Sequence, residues 1–281
     1  MRSGNLYYCD WNLRFLIMAK RKRKTRKRSS KFSFSRFYKR LRRRLHRSGK
    51  LLLIICISAL VVFFIKDKFF NLGTYRTTVF ATDYNGIDVS KYQGNIDWDK
   101  VSEDSHIQFV YIKASEGSGN FDSKYNKNIR EARNVGIKTG SYHFFIGRKS
   151  AKEQFDNFNR HVSKYNQDLI PVVDVEEAGN RYISRAQLQQ NLQEYMDLIK
   201  KEYGKYPILY SQYGFYNKML APEFNKYYIF IARYGAQKPV LKGNGNYNIW
   251  QYSEKGRING IKGTVDLNRF ANGTKLSDIE L

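Results

Sequence analysis

Ile170-Pro171-Val172-Val173-Asp174-Val175-Glu176-Glu177 is the stretch that decides the fold of this chain. An apolar run of this length, with repeated valine, is typical of a strand buried on both faces, as in a parallel sheet. Because residues i and i+2 of a strand point to the same side, Asp174 and Glu176 are expected to share one face at its carboxyl end. Two crowded carboxyl groups cannot both ionise freely, so one pKa should rise, as a general acid requires. The alternative is a pair of solvated acids at the end of a strand.

Seven more segments have the composition of strands, and helical patterns fill the early gaps between them. The eight predicted strands are Gly86–Ser90, Phe109–Ser115, Lys138–Phe145, Ile170–Glu176, Pro207–Ser211, Tyr228–Tyr234, Tyr247–Ser253 and Gly263–Phe270. Strands that alternate with helices in this way predict a (β/α) barrel. Gly235–Asn246 and Glu254–Lys262 have no helical period, so loops are expected to join the last three strands. The predicted fold class is α/β, an incomplete TIM-like barrel of the (β/α)5(β)3 type.

Three amphipathic helices are predicted between the early strands. Ser150–Tyr165 and Ser184–Tyr203 each begin with a serine that has Glu or Gln three residues later, which is the pattern of a capping box. Gly204 is the expected stop of the second helix. A third helix is predicted over Asp122–Val135.

Polar and aromatic residues fall at the ends of many of the predicted strands. In a barrel of parallel strands these ends meet at one mouth, where chemistry is usually built. The residues expected there are Asp88, Lys113, Glu116, Tyr142, His143, Asp174, Glu176, Tyr210, Trp250, Tyr252 and Asp266. Carboxyl groups beside aromatic rings suit glycoside cleavage, since one carboxyl protonates the leaving oxygen while a carboxylate stabilises charge at the anomeric carbon. His143 is interpreted as a core histidine, and barrel core is the alternative for Tyr142 and Trp250.

The first 84 residues differ from the rest of the chain. Residues 1–50 contain 19 Lys or Arg and one Asp, so this tail carries +18 of the net charge of +25. Residues 51–65 are an uncharged apolar run, and residues 66–84 resemble a linker before a domain over 85–281. We expect residues 51–65 to be a helical transmembrane signal-anchor in the cell membrane, with the domain outside; secretion after cleavage is the alternative. Met18 directly precedes the basic block, so residues 1–17 are expected not to be translated.

Composition also limits the partners and cofactors. The basic tail is expected to fix the topology and contact anionic lipid, and not to bind nucleic acid. The two cysteines, Cys9 and Cys56, precede the domain, so no disulfide is expected in the exported part. The histidines after residue 84 lack the spacing of metal ligands, and no phosphate-binding glycine loop occurs. Neither a metal nor another cofactor is therefore expected.

Six motifs follow one another in the order of a known enzyme family. They are Gly86–Gly94 (GIDVSKYQG), Phe109–Gly117 (FVYIKASEG), Gly140–Phe144 (GSYHF), Asp174–Glu176 (DVE), Trp250–Ser253 (WQYS) and Val265–Asn268 (VDLN). Together they resemble glycoside hydrolase family 25, the Ch-type lysozymes or N-acetylmuramidases, over about residues 84–272. One departure is Phe230-Ile231-Ala232 in the sixth strand, where the family pattern is expected to have a tryptophan.

This resemblance implies a (β/α)5(β)3 barrel that cleaves the β-1,4 bond between N-acetylmuramic acid and N-acetylglucosamine in the glycan strands of peptidoglycan. By position, Glu176 would be the catalytic acid and Asp174 its partner, with Asp88 and Asp266 as flanking catalytic acids. The substrate-binding residues would be Lys113, Glu116, Tyr142, Tyr210 and Trp250. The expected role is cell-wall remodelling, and retaining, inverting and substrate-assisted mechanisms all stay open. The alternative function is a non-catalytic peptidoglycan-binding or scaffold protein of the same fold.

Overall fold

A computed structural model describes residues 83–281 and five residues of the basic tail, Ser35, Tyr38–Arg40 and Arg42, which are helical. The expected signal-anchor over 51–65, the start at Met18 and most of the linker over 66–84 lie outside the described residues. The chain forms two compact units, Met1–Phe69 and Phe70–Leu281, and every strand that the structure describes belongs to the second. In the described part of the chain, no helix combines the length and the apolar character that crossing a membrane requires.

Nine β-strands are formed by residues 83–281, and eight of them close a barrel. The strands are β1 (Gly86–Val89), β2 (Phe109–Glu116), β3 (Asn120–Phe121), β4 (Lys138–Phe144), β5 (Val172–Asp174), β6 (Ile208–Gln212), β7 (Ile229–Ala232), β8 (Ile249–Gly256) and β9 (Val265–Phe270). The barrel closes because β1 pairs with β2 on one side and with β9 on the other. The short β3 pairs only with β2 and stands outside the ring. The predicted eight-stranded α/β barrel is thus confirmed.

The helices of residues 83–281 pack outside this barrel and follow its first strands. They are α1 (Trp98–Ser102), α2 (Tyr125–Asn134), α3 (Ala151–His161), α4 (Glu177–Asn180), α5 (Arg185–Tyr203) and α6 (Tyr213–Met219). Helix α5 has the predicted bounds, since the Ser184 side chain caps its start and Gly204 has a left-handed φ of 82° at its end. Helix α3 is shorter than predicted, because Val162 is already extended with a ψ of 108°.

The last barrel strand runs against its neighbours, which corrects the expectation of parallel strands throughout. β1, β2 and β4 to β8 are parallel, whereas β9 is antiparallel to both β8 and β1. The physical reason is the length of the connection. Parallel strands need a crossover of a dozen or more residues, and only residues 257–264 separate β8 from β9. The beginning of β9, and not its end, therefore lies at the mouth.

Two apolar layers hold the barrel, one inside it and one between it and the helices. Alternation along β2 separates them, because Phe109 and Tyr111 belong to the inner cluster while Val110 and Ile112 belong to the outer one. The Tyr111 hydroxyl donates to the Ile170 carbonyl at 3.1 Å, so this ring is fixed low in the barrel. Burial of side chains of this size contributes about 1.5–3 kcal/mol each. The inner layer forms the floor beneath a polar pocket at the mouth.

Candidate active site

The end of β5 places two carboxyl groups on the inner face of the barrel. Val173 and Val175 pack in the outer apolar layer, so the alternate residues Asp174 and Glu176 turn inward. Asp174 is only 7% exposed, whereas Glu176 is half-buried and nearer to the solvent. Nε2 of Gln212, at the end of β6, donates to Oε2 of Glu176 at 3.2 Å. One carboxyl is therefore deep in the pocket and the other stands at its entrance.

The mouth is a pocket of about 180 Å³ that gathers residues from seven of the eight barrel strands and from their ends. Six of its lining residues were expected at the mouth from the sequence: Asp88, Tyr142, Asp174, Glu176, Tyr210 and Asp266. Five others were not expected there: Tyr111, Val172, Gln212, Phe230 and Tyr234. Phe230 lies at the departure from the family pattern in the sixth barrel strand, so an aromatic ring still lines the pocket from β7.

Asp88 and Asp266 face each other across the pair formed by the first and last barrel strands. Their Cα atoms are partners in the β1–β9 register, and their side chains share a hydrogen bond. Oδ2 of Asp88 also accepts from Nε2 of Gln251 at 2.8 Å and from Nδ2 of Asn268 at 2.9 Å. The Tyr210 hydroxyl donates to Oε1 of Gln251 at 2.9 Å and holds this amide in place. Sequence reasoning missed Gln251 and Asn268, although Asn268 lies two residues from Asp266 on the same strand face.

Burial raises the pKa of all four carboxyl groups, and repulsion by neighbouring carboxylates adds to the effect for Asp174, Glu176 and Asp266. Burial raises the pKa of Asp174 well above its usual range, and the negative charge of Glu176 adds to the effect. The pKa of Glu176 is raised by burial and then by the charge of Asp88. Burial and the charge of Asp88 raise the pKa of Asp266 to about 8. The pocket can therefore hold protons at neutral pH, which is what general acid catalysis needs.

A carboxyl oxygen of Asp174 lies buried without a partner. Among the residues that the structure describes, nothing donates to or accepts from its Oδ1. Such a buried polar atom is costly unless a ligand supplies the hydrogen bond. The ammonium group of Lys113 is close enough to lower the pKa of Asp174 and of Glu176, but only in part. The interior of the pocket is thus prepared for a polar group of a substrate.

Other expected site residues lie outside the pocket. Lys113 pairs with Glu116 at 2.7 Å at the end of β2. Trp250 is 1% exposed in the outer apolar layer, where its Nε1 donates to the Arg233 carbonyl at 2.7 Å. Its ring is covered by the guanidinium group of Arg269 at 4.1 Å, so this position does not support contact with a sugar.

His143 is a buried core residue, as the sequence indicated. It is fully buried, and its Nδ1 lies 2.8 Å from the Ser115 hydroxyl. Burial lowers its pKa to about 3, so the ring is neutral at ordinary pH. Tyr252 is also buried in the outer layer and does not line the pocket. Neither residue is placed to take part in chemistry at the mouth.

A closed barrel whose mouth crowds four carboxyl groups of raised pKa among tyrosine rings defines a glycoside hydrolase. Two carboxyls from one strand end supply the acid and its partner, and the aromatic groups can pack against sugar rings. This class accounts for the raised pKa values and for the unpaired oxygen of Asp174 together.

Comparison with known proteins narrows this class. The model of the glycosyl hydrolases family 25 matches residues 87–261. The uncharacterized protein YegX of Escherichia coli strain K12 is 37% identical over 194 residues, which are 68% of this chain and 70% of that protein. The autolytic lysozyme of Clostridium acetobutylicum is 34% identical over 189 residues, 67% of this chain and 56% of that protein. A family 25 glycosyl hydrolase structure from Bacillus anthracis has a TM-score of 0.63 and 32% identity, covering 70% and 93% of the two chains. The chain belongs to glycosyl hydrolase family 25.

Proposed function

We propose that this protein is a muramidase, which cleaves the β-1,4 bond between N-acetylmuramic acid and N-acetylglucosamine in peptidoglycan. Membership of family 25 supports this, as do relatives named autolytic lysozyme and lysozyme M1, the latter from Streptomyces globisporus at 31% identity. The single observation that carries the proposal is the convergence of Asp174 and Glu176, both with raised pKa, inside the pocket.

Glu176 is the catalytic acid in this proposal, and Asp174 is its partner. Glu176 stands nearer to solvent, where it can reach the oxygen between two sugars, while Asp174 is buried beneath it. The two side chains share a hydrogen bond and hold one proton between them. When Glu176 transfers this proton to the leaving oxygen, the glycosidic bond breaks, and ionised Asp174 orients the 2-acetamido group or stabilises positive charge at the anomeric carbon. A water molecule then adds to that carbon and returns a proton to the acid pair.

The remaining site residues are assigned supporting roles. Asp88 and Asp266 flank the acid pair and complete the negative side of the pocket. Tyr142 and Tyr210 line the sugar groove, and Lys113 with Glu116 borders it at the end of β2. Trp250 is left out of these assignments because it is buried in the outer layer.

The finer layout of the chain is also part of the proposal. Helices after β1, β2, β4, β5 and β6, followed by three strands without helices, support a (β/α)5(β)3 barrel. The sequence supports a basic tail over 1–50, a signal-anchor over 51–65 and a linker over 66–84 before the hydrolase domain at 85–281. The enzyme is then held at the cell membrane and faces the wall, with anionic lipid beneath its tail. Secretion after cleavage is the alternative location.

The decisive experiment identifies the bond that is cut. The full chain is incubated with purified peptidoglycan, the new reducing ends are reduced with borohydride, and the resulting sugar alcohols are separated. We expect reduced N-acetylmuramic acid, and almost none with Glu176→Gln. Reduced N-acetylglucosamine would overturn the choice of bond. Equal activity in the variant would overturn the acid assignment, and binding without cleavage by the unaltered chain would favour a scaffold protein.

A further inference from the structure

The rim of the barrel mouth carries a set of exposed basic residues, which we name the basic collar. It comprises Lys91 after β1, Arg148 and Lys149 after β4, Arg181 after β5, Lys238 after β7 and Lys262 between β8 and β9. We propose that the basic collar binds the carboxylates of the peptide branches on the glycan strand, so that the enzyme prefers peptide-bearing glycan to neutral glycan. This inference rests on the proposed muramidase function.

No carboxylate that the structure describes neutralises the collar residues, a property that they share with other exposed basic residues such as Lys205, Lys226, Lys242 and Lys275. In the described part of the chain, none of the six forms an ion pair within 4.0 Å. Within residues 83–281, two exposed acids lie near the collar, Glu177 at the start of α4 and Glu254 near the mouth end of β8. Like charges around one rim repel each other, and a partner of opposite charge would offset this repulsion.

The bound substrate itself can bring that charge to the rim. A glycan strand that occupies the pocket must leave it over the loops at the mouth, and the collar is spread over loops after four different strands and before a fifth. Peptide branches rise from the muramic acid units on both sides of the cleaved bond and end in carboxylates. Wherever the glycan strand crosses the rim, a cation of the collar therefore lies near it.

The residue types favour peptide carboxylates over a fixed phosphate group. Four of the six collar residues are lysines, which are flexible point charges, and two are arginines. A built phosphate site usually has converging arginine forks or backbone N–H groups, whereas a ring of separate lysines suits anions of variable position. Flexible peptide branches are anions of that kind, so we commit to them as the ligand.

The test compares two variants that remove equal charge from opposite ends of the barrel. The collar variant is Lys149→Gln, Arg181→Gln, Lys238→Gln and Lys262→Gln. The matched control is Lys205→Gln, Lys226→Gln, Lys242→Gln and Lys275→Gln, all exposed and on the far side. Both are made in the Glu176→Gln full chain, and binding to purified peptidoglycan is measured by sedimentation. We expect about tenfold weaker binding for the collar variant and less than about twofold for the control, since exposed charges act weakly one by one.

Two treatments of the peptidoglycan identify the anion. Conversion of its carboxylates to neutral amides should reduce binding of the parent protein to the level of the collar variant. Removal of phosphodiester-linked polymers with hydrofluoric acid should leave the difference between the variants intact. If that treatment abolished the difference, the collar would bind the phosphate polymers and the inference would be overturned. Equal binding by collar and control variants would overturn it as well.

Failure of the muramidase proposal gives a different result. Binding is measured with a variant that lacks the catalytic acid, so it does not depend on cleavage. Absence of reducing ends from every glycan with the unaltered protein would refute the muramidase function, while collar-dependent binding would still stand. Melting temperatures of both charge variants check that they are folded.

Discussion

The two ends of the barrel treat charge in opposite ways. At the end of the barrel opposite the mouth, which we call the closed end, carboxylates have cationic partners. Examples are Asp168 with Arg133 at 3.0 Å and Glu280 with Lys138 at 3.2 Å. At the mouth, Asp88, Asp174, Glu176 and Asp266 lie together in one pocket, and none of the four forms an ion pair within 4.0 Å with a residue that the structure describes. Carboxyl groups therefore serve different purposes at the two ends of the barrel, stabilising the fold at the closed end and forming a reactive pocket at the mouth.

This contrast separates residues that hold the fold from residues that act on a substrate. Asp168 shows the first kind, because its Oδ2 accepts from the backbone N–H and hydroxyl of buried Thr139 at 3.0 Å each, besides pairing with Arg133. The pocket carboxyls show the second kind, since burial without full pairing costs free energy. Changes at the closed end should lower stability, and changes at the mouth should lower activity.

Loss of the catalytic acid should give the largest effect. Glu176→Gln keeps the shape of the side chain but removes the proton, so kcat on peptidoglycan should fall about 10³-fold. The melting temperature should stay the same or rise, because a buried like charge is removed. The matched control is Glu177→Gln, an exposed neighbour, which should keep more than half of the activity. An equal fall of kcat in both variants would contradict the assignment of Glu176, and not Glu177, as the catalytic acid.

A substitution at the closed end should lower the stability of the protein and leave its activity unchanged. Asp168→Ala leaves the buried N–H of Thr139 without an acceptor, which should cost about 2 kcal/mol of the free energy of unfolding. Urea unfolding measures this loss, and kcat of the folded protein should be unchanged. A fall in kcat comparable with that of a mouth variant would show that the two ends are not independent.

The mouth should also make stability depend on pH. The pKa of Asp266 rises from 3.8 to about 8 on folding, so the folded protein holds a proton that the unfolded chain releases. The resulting stabilisation is complete below about pH 4 and is lost as the pH rises through about 8. Melting temperatures should therefore fall over this range, and Asp266→Asn should flatten the fall. Asp99→Asn on the exposed face of α1 is the control, and an equal flattening there would contradict the assignment.

Removal of one tyrosine hydroxyl at each end of the barrel should give the smallest effects. Tyr210→Phe removes the donor to Gln251, which positions Asp88, so kcat should fall about two- to tenfold. Tyr203→Phe at the closed end removes a donor to the Val162 carbonyl at 3.1 Å and should leave kcat unchanged. Both variants should lose about 1 kcal/mol of stability at most. A larger kcat loss for Tyr203→Phe would reverse the expected order.

The acid pair was predictable because its cause is local. Two residues separated by one valine at the end of a strand must share a face, and the apolar run identified both the strand and its carboxyl end. The positions of all eight barrel strands followed from similar short-range signals. Helix α5 was predicted with its bounds because Ser184 and Gly204 cap it.

The face of β8 could not be predicted in this way. Residues of β8 are apolar or large on both sides near its start, so no alternation shows which side is inside. Trp250 and Tyr252 turned outward into the layer beneath the helices, and Gln251 between them turned toward Asp88. The side chain of β8 that faces the pocket is therefore Gln251, one position after Trp250, which had been expected to contact the sugar.

Asp266 was expected at the mouth for a reason that proved wrong. The sequence argument placed it near the end of a parallel strand, whereas it lies near the beginning of an antiparallel one. The length of the preceding connection held the information, since eight residues are too few for a crossover. The pairing of β1 with β9 joins residues that are far apart in the sequence, so no local sequence pattern could predict it.

The joint between β1 and β9 has a consequence for when the enzyme becomes competent. Asp88 and Asp266 meet where the first and last strands of the ring are zipped together. A polypeptide emerging from the ribosome carries Asp174 and Glu176 long before it carries the strand that shuts the ring. A muramidase assembled in this order has a complete set of pocket carboxyl groups only when the final strand is in place.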